Sequence, residues 1–147
     1  MVGMDNNKLF ANEYIQIGAL TAMISKAESM GIEHGVALIF CRKRNDQGIS
    51  QPKFGAVDNM FFGFRTNYLA IVMAKLAVSM RLGVDSGTVT TGLLAGETHY
   101  RGGLVRFMLV DYEKWEIYTA FSGGTEDQDV EIAESGMKML FPEKQWL

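Results

Sequence analysis

The sequence predicts an α+β domain in which an antiparallel sheet of about five strands carries three packed helices. Three observations predict it. Apolar residues recur at helical spacing in three separate segments, short runs of β-forming residues lie between them, and glycines rather than prolines mark the joints. At 147 residues the chain is expected to be a single domain, 1–147, large enough to bury most of the apolar surface an unfolded chain exposes.

The first helix is expected over residues 12–30, where Ile17, Leu20, Ile24 and Ala27 share one stripe and Gly31 supplies a left-handed stop. GVALIFC, residues 35–41, is too short for an independent helix and reads as a buried strand. A polar turn or loop follows over 42–52, opening on the basic run Arg42, Lys43 and Arg44, which reads as a solvated tip. Residues 53–57 form a second short strand, with Phe61, Phe62 and Phe64 crowded behind it around Gly63.

Thr66 then serves as the N-cap of a second helix that turns Leu69, Met73, Leu76 and Met80 to the core and stops at Gly83. Residues 88–94, 104–111 and 115–121 read as three strands of an antiparallel meander. The last helix runs over 126–140 with Val130, Ala133, Met137 and Leu140 on its inner edge. Strands from both halves then share one sheet, which is the α+β arrangement.

Composition excludes several function classes. A net charge of −3 lacks the basic field that grips a nucleic-acid backbone. The apolar run over 68–74 is far too short to span a bilayer, and the N-terminus shows no charged region followed by an apolar stretch. Cys41 is the single cysteine, without a thiol to pair with, and fits a reducing compartment; a cytoplasmic protein free of membrane partners is expected. His34 and His99 are the only imidazoles and have no ligand at metal spacing, so no metal site is expected.

Most motifs dissolve on inspection. Gly87 and Gly92 have phosphate-loop spacing, but Leu93 and Leu94 stand where a lysine and a hydroxyl residue are required. Asp85-Ser86-Gly87-Thr88 has the letters of an aspartic-protease turn but follows a helix end, and reads as a polar loop entering a strand. The ten methionines mostly fall on inner stripes and fill core. Lys75 interrupts the apolar AIVMAKLAVSM; it is either a snorkelling surface residue, the commoner case, or an amine aimed into a pocket. In GETHYRGG, His99 is either a surface loop residue or an acid–base group.

The stretch FSGGTEDQDVEIAESGMKML, 121–140, poses the sharpest question. Its glycine turn could cradle an anion at a helix N-terminus. Thr125 and Gln128, however, have capping-box spacing, and Glu126, Asp127, Asp129 and Glu131 surround the positive helix end with negative charge. Both features argue against a phosphate and leave room for a neutral or cationic ligand.

Gly102-Gly103-Leu104, an antiparallel pair, then Ser122-Gly123-Gly124, Asp129, Ile132-Ala133 and Gly136 resemble the GlcG-like family, also called HbpS-like or haem-degrading, which shares a domain with the C-terminal part of PduO-type proteins. The likeness is good over 102–140, looser over 12–41 and poor between. It implies a profilin-like fold, homo-oligomerisation and, in some members, binding of haem or another tetrapyrrole, for which His34, His99, Cys41, a tyrosine or a methionine would have to supply the axial ligand. The leading expectation is a small-molecule-binding protein whose ligand, haem among the candidates, lies near Ser122, Gly123 and Gly124 and the second helix, with Lys75, Asp129 and His99 as further site residues. An enzyme that degrades haem or acts on a small oxidised metabolite, using His99, Lys75 or Asp129 as acid–base groups, is the alternative. A ligand-free oligomeric scaffold is a third.

Overall fold

The computed structural model describes residues 10–43, 51–63 and 65–140. Phe64 and most of the expected polar loop, 44–50, lie outside the described residues. In chain order the elements are helix α1 (Glu13–Ser29), strands β1 (Val36–Lys43) and β2 (Lys53–Ala56), helix α2 (Tyr68–Leu82), strands β3 (Gly103–Val110) and β4 (Glu113–Ser122), and helix α3 (Glu126–Leu140), with a short 3₁₀ turn after β2.

The four strands pair antiparallel in the order β2-β1-β4-β3. The first strand therefore sits beside the last, Val36 opposite Ser122 and Lys43 opposite Trp115. Alternation along these strands builds two cores. Ala37, Ile39, Cys41, Ile117 and Phe121 face α1 and α3, whereas Val36, Leu38, Phe40, Tyr118 and Ala120 face α2. Burial on both sides explains why β1 reads as an unbroken apolar run instead of an alternating one. The same burial pushes the Cys41 thiol up to about 12, against a small opposing pull from Lys53, so this cysteine packs as an apolar side chain.

The fifth strand expected over 88–94 is absent; these residues run in irregular loop. Gly87, Gly92 and Gly96 all take left-handed backbone that breaks an extended run. The edge such a strand would need is also occupied: on β3 the Gly103 N–H donates to Ser86 Oγ at 2.8 Å and the Val105 N–H to Asp85 Oδ1 at 3.0 Å. Side chains of the Asp85-Ser86-Gly87-Thr88 loop thus blunt the outer edge of the sheet, a device that prevents strand-to-strand association.

Helix ends follow local chemistry. Asn12 caps α1 through Ile15 N–H at 3.1 Å, as its position before the apolar stripe suggests. At α2 the cap is Asn67, which accepts from Ala70 N–H at 3.0 Å, and not Thr66. The inner face is also rotated from the expected stripe: Val72, Lys75, Leu76 and Ser79 are buried and Met73 is half exposed. A comparable rotation exposes Ile17 on α1 and buries Ala19 and Met23, and on α3 Val130 yields the innermost place to Ile132.

Candidate functional site

The rotation of α2 turns Lys75 inward, where its side chain is only 1 % exposed; the commoner surface reading is corrected. A buried ammonium is tolerable only with partners. Lys75 Nζ donates to the Phe121 carbonyl oxygen at 2.7 Å and to Asp129 Oδ2 at 3.0 Å. Asp129 in turn accepts the Gly124 N–H on Oδ1 at 2.8 Å. The pair joins α2 and α3, helices on opposite faces of the sheet, and fixes the turn between β4 and α3 to both.

Burial acts on both partners. It lowers the Lys75 amine below the usual lysine range, opposed by the nearby Asp129 and Glu126 charges. It raises the Asp129 carboxyl above the usual aspartate range, opposed by Lys75 and by the Gly124 and Gly123 N–H groups. Each group is therefore nearer to its neutral form than a surface counterpart.

The glycines make room for this arrangement. Gly102 has φ +116°, and a Cβ there would stand 2.7 Å from Asp129 Cβ and 2.8 Å from Lys75 Nζ. Gly123, at φ +153°, lies so close to the backbone of His34 and Gly35 that a Cβ would overlap them. Both positions belong to the stretch in which the sequence resembles the GlcG-like family, and here they have a steric reason.

Above the pair opens a cleft of about 370 Å³ lined by Tyr68, Ile71, Lys75, Tyr100, Ser122, Gly123, Gly124, Asp129 and neighbours on the α3 end. Five expected site residues, Lys75, Ser122, Gly123, Gly124 and Asp129, meet in this one place. Ser122 is 4 % exposed. Thr125 and Gln128 form the expected capping box: Thr125 N–H donates to Gln128 Oε1 at 2.9 Å and Gln128 N–H to Thr125 Oγ1 at 3.2 Å. Donors that an anion would need are thereby consumed.

His99 does not join the others. Its exposed ring lies against Tyr100, with centroids 4.8 Å apart, and it is Tyr100 that borders the cleft. Its loop is held by Arg81, which grips Glu97 at 2.7 and 2.8 Å. His34 borders an adjoining groove of about 430 Å³ that shares Tyr68, Gly123, Gly124 and Thr125 with the cleft. Tyr68, Ile71 and Tyr100 were not foreseen as site residues, since nothing local distinguishes a cleft-wall aromatic from a core or surface one. Among the described residues no cluster of metal-ligating side chains occurs, and no helix is long and apolar enough to cross a membrane.

No protein-family model and no curated protein matches the chain. Among solved structures it is similar to the crystal structure of the Ybr137w protein, with a TM-score of 0.54 at 15 % identity over 90 % of this chain and 79 % of that one. It is also similar to the Klebsiella pneumoniae protein ORFY, described by the family label DUF336, with a TM-score of 0.48 at 18 % identity over 84 % of this chain and 88 % of that one. The likeness to the Ybr137w protein shows a shared fold.

Proposed function

We propose that the chain is a GlcG-like, profilin-like protein that binds a small molecule in the cleft between α2 and the β4–α3 turn and works as a homo-oligomer. The observation that carries the reading is the convergence of Lys75, Ser122, Gly123, Gly124 and Asp129, from separate parts of the chain, on one cleft of about 370 Å³. Ligand sites commonly span roughly 300–1,000 Å³ and combine apolar walls with a few placed polar groups. Tyr68, Ile71 and Tyr100 supply such walls, and Lys75, Ser122 and Asp129 the polar floor. With Glu126 at the rim and the α3 end capped, a neutral or cationic ligand is favoured over a phosphate.

Haem fits these residues poorly. Among those lining the cleft only Tyr68 and Tyr100 are of a type that ligates haem iron, and the acids Glu126 and Asp129 against the single cation Lys75 are a poor match for two propionates. Cys41 belongs to the core on the α1 and α3 side. The favoured ligand is therefore smaller than a tetrapyrrole.

A small-molecule screen read by amide NMR tests the binding. Hits should move Ser122, Gly123, Gly124 and Thr125, and Ile71→Trp, which fills the cleft without touching the ion pair, should abolish those shifts. Haemin titration should leave the Soret band of free haemin unchanged. Light scattering checks the oligomer, and a strict monomer at micromolar concentration would overturn that part.

A further inference from the structure

The floor of the cleft brings an amine, a carboxylate and a hydroxyl together. Lys75 Nζ satisfies two acceptors, Phe121 O at 2.7 Å and Asp129 Oδ2 at 3.0 Å, which leaves one of its three hydrogens unassigned. A carboxylate stands beside the amine to take its proton. Ser122 lines the same cleft and brings a hydroxyl to it.

We infer that the cleft takes a small aldehyde or ketone with a flat apolar body, and that Lys75 joins its carbonyl carbon as an imine. The inference rests on the reading of the cleft as a ligand site. In the reaction Asp129 takes a proton from the Lys75 ammonium, and the amine lone pair adds to the carbonyl carbon while the π pair moves to oxygen. The Ser122 hydroxyl donates to that oxygen. Proton transfer from nitrogen to oxygen gives the carbinolamine; Asp129 returns its proton to the hydroxyl, water leaves, and a protonated imine remains. Ammonium plus carbonyl compound has become iminium plus water, without a redox change. Tyr68, Ile71 and Tyr100 hold the apolar body, and the burial that lowers the Lys75 amine favours the nucleophilic form.

The experiment incubates the full chain with benzaldehyde and cyanoborohydride at neutral pH and maps reduced adducts by mass spectrometry. Lys75 should be labelled about tenfold faster than the exposed Lys26, Lys43 and Lys138, because a desolvated amine carries its proton less tightly. Asp129→Asn should slow Lys75 while leaving the surface lysines unchanged. Labelling confined to the surface lysines overturns the imine. If benzaldehyde still shifts the Ser122 to Thr125 amides in that case, binding stands and only the covalent step fails; absence of both shifts and Lys75 labelling overturns the site and the imine together.

Discussion

Lys75–Asp129 and Arg81–Glu97 are both short ion pairs anchored on α2, less than two turns apart, yet one cation is sealed from water and the other meets it. The first is sealed between two layers, with side chains 1 % and 5 % exposed. The second closes a loop, where Arg81, 36 % exposed, grips the 5 % exposed Glu97 from two nitrogens and the Leu94 N–H adds a third hydrogen bond at 2.7 Å. Geometry alone would rank the surface pair higher. Solvent reverses the order, because water replaces a lost partner at the surface and cannot do so between α2 and α3.

Breaking the buried pair from one side is the harshest test of that contrast. Lys75→Met should leave the Asp129 carboxyl buried with only backbone donors and cost about 3–5 kcal/mol in urea denaturation. Gly102→Ala attacks the same pair sterically, through a φ of +116° and a Cβ 2.8 Å from Lys75 Nζ; a loss on the order of 1–3 kcal/mol is expected in the same assay. Thr125→Ala removes only the cap of α3 and should cost about 1 kcal/mol, with the Lys75–Asp129 contact intact. Glu97→Gln should give the smallest change in midpoint of the series.

Titration sharpens the comparison further, since the two acids move in opposite directions. The Arg81 hydrogen bond, with help from the Leu94 N–H, holds Glu97 down to about 2. Its contribution to stability is complete above the ordinary value of 4.5 and fades as pH falls toward 2. Asp129 is raised above its ordinary 3.8 by burial, so the folded state binds the proton more tightly and this group favours folding more as pH falls through its raised value, an effect complete below 3.8. Carboxyl NMR should therefore find the Glu97 midpoint below, and the Asp129 midpoint above, the values of exposed acids.

Legibility in the sequence divides along the same line as these pairs. Thr125 and Gln128 are three residues apart, so their capping box was readable from spacing alone. All three helices and four of the expected strands follow from local pattern in the same way. Lys75 and Asp129 are 54 residues apart, and their union depends on which face of α2 turns inward. That face is set by packing of Val72 and Leu76 against the sheet, a tertiary contact that local spacing does not fix. The false strand over 88–94 has a similar cause: its threonines and Val89 have β propensity, but the edge it would join is taken by Asp85 and Ser86, a tertiary fact with no local trace. Ser122, Gly123 and Gly124, singled out by family resemblance, line the cleft, whereas its walls Tyr68 and Tyr100 carried no signal in the sequence.

The central claim is that the Lys75–Asp129 pair floors a ligand cleft and is more than a brace between helices. Amide NMR of the wild-type chain and of Ile71→Trp, titrated side by side with the same small-molecule set, tests it most directly. Shifts centred on Ser122, Gly123, Gly124 and Thr125 are expected in the wild type and are expected to vanish in the variant. Shifts that persist in Ile71→Trp, or that fall on another face of the molecule, would contradict it.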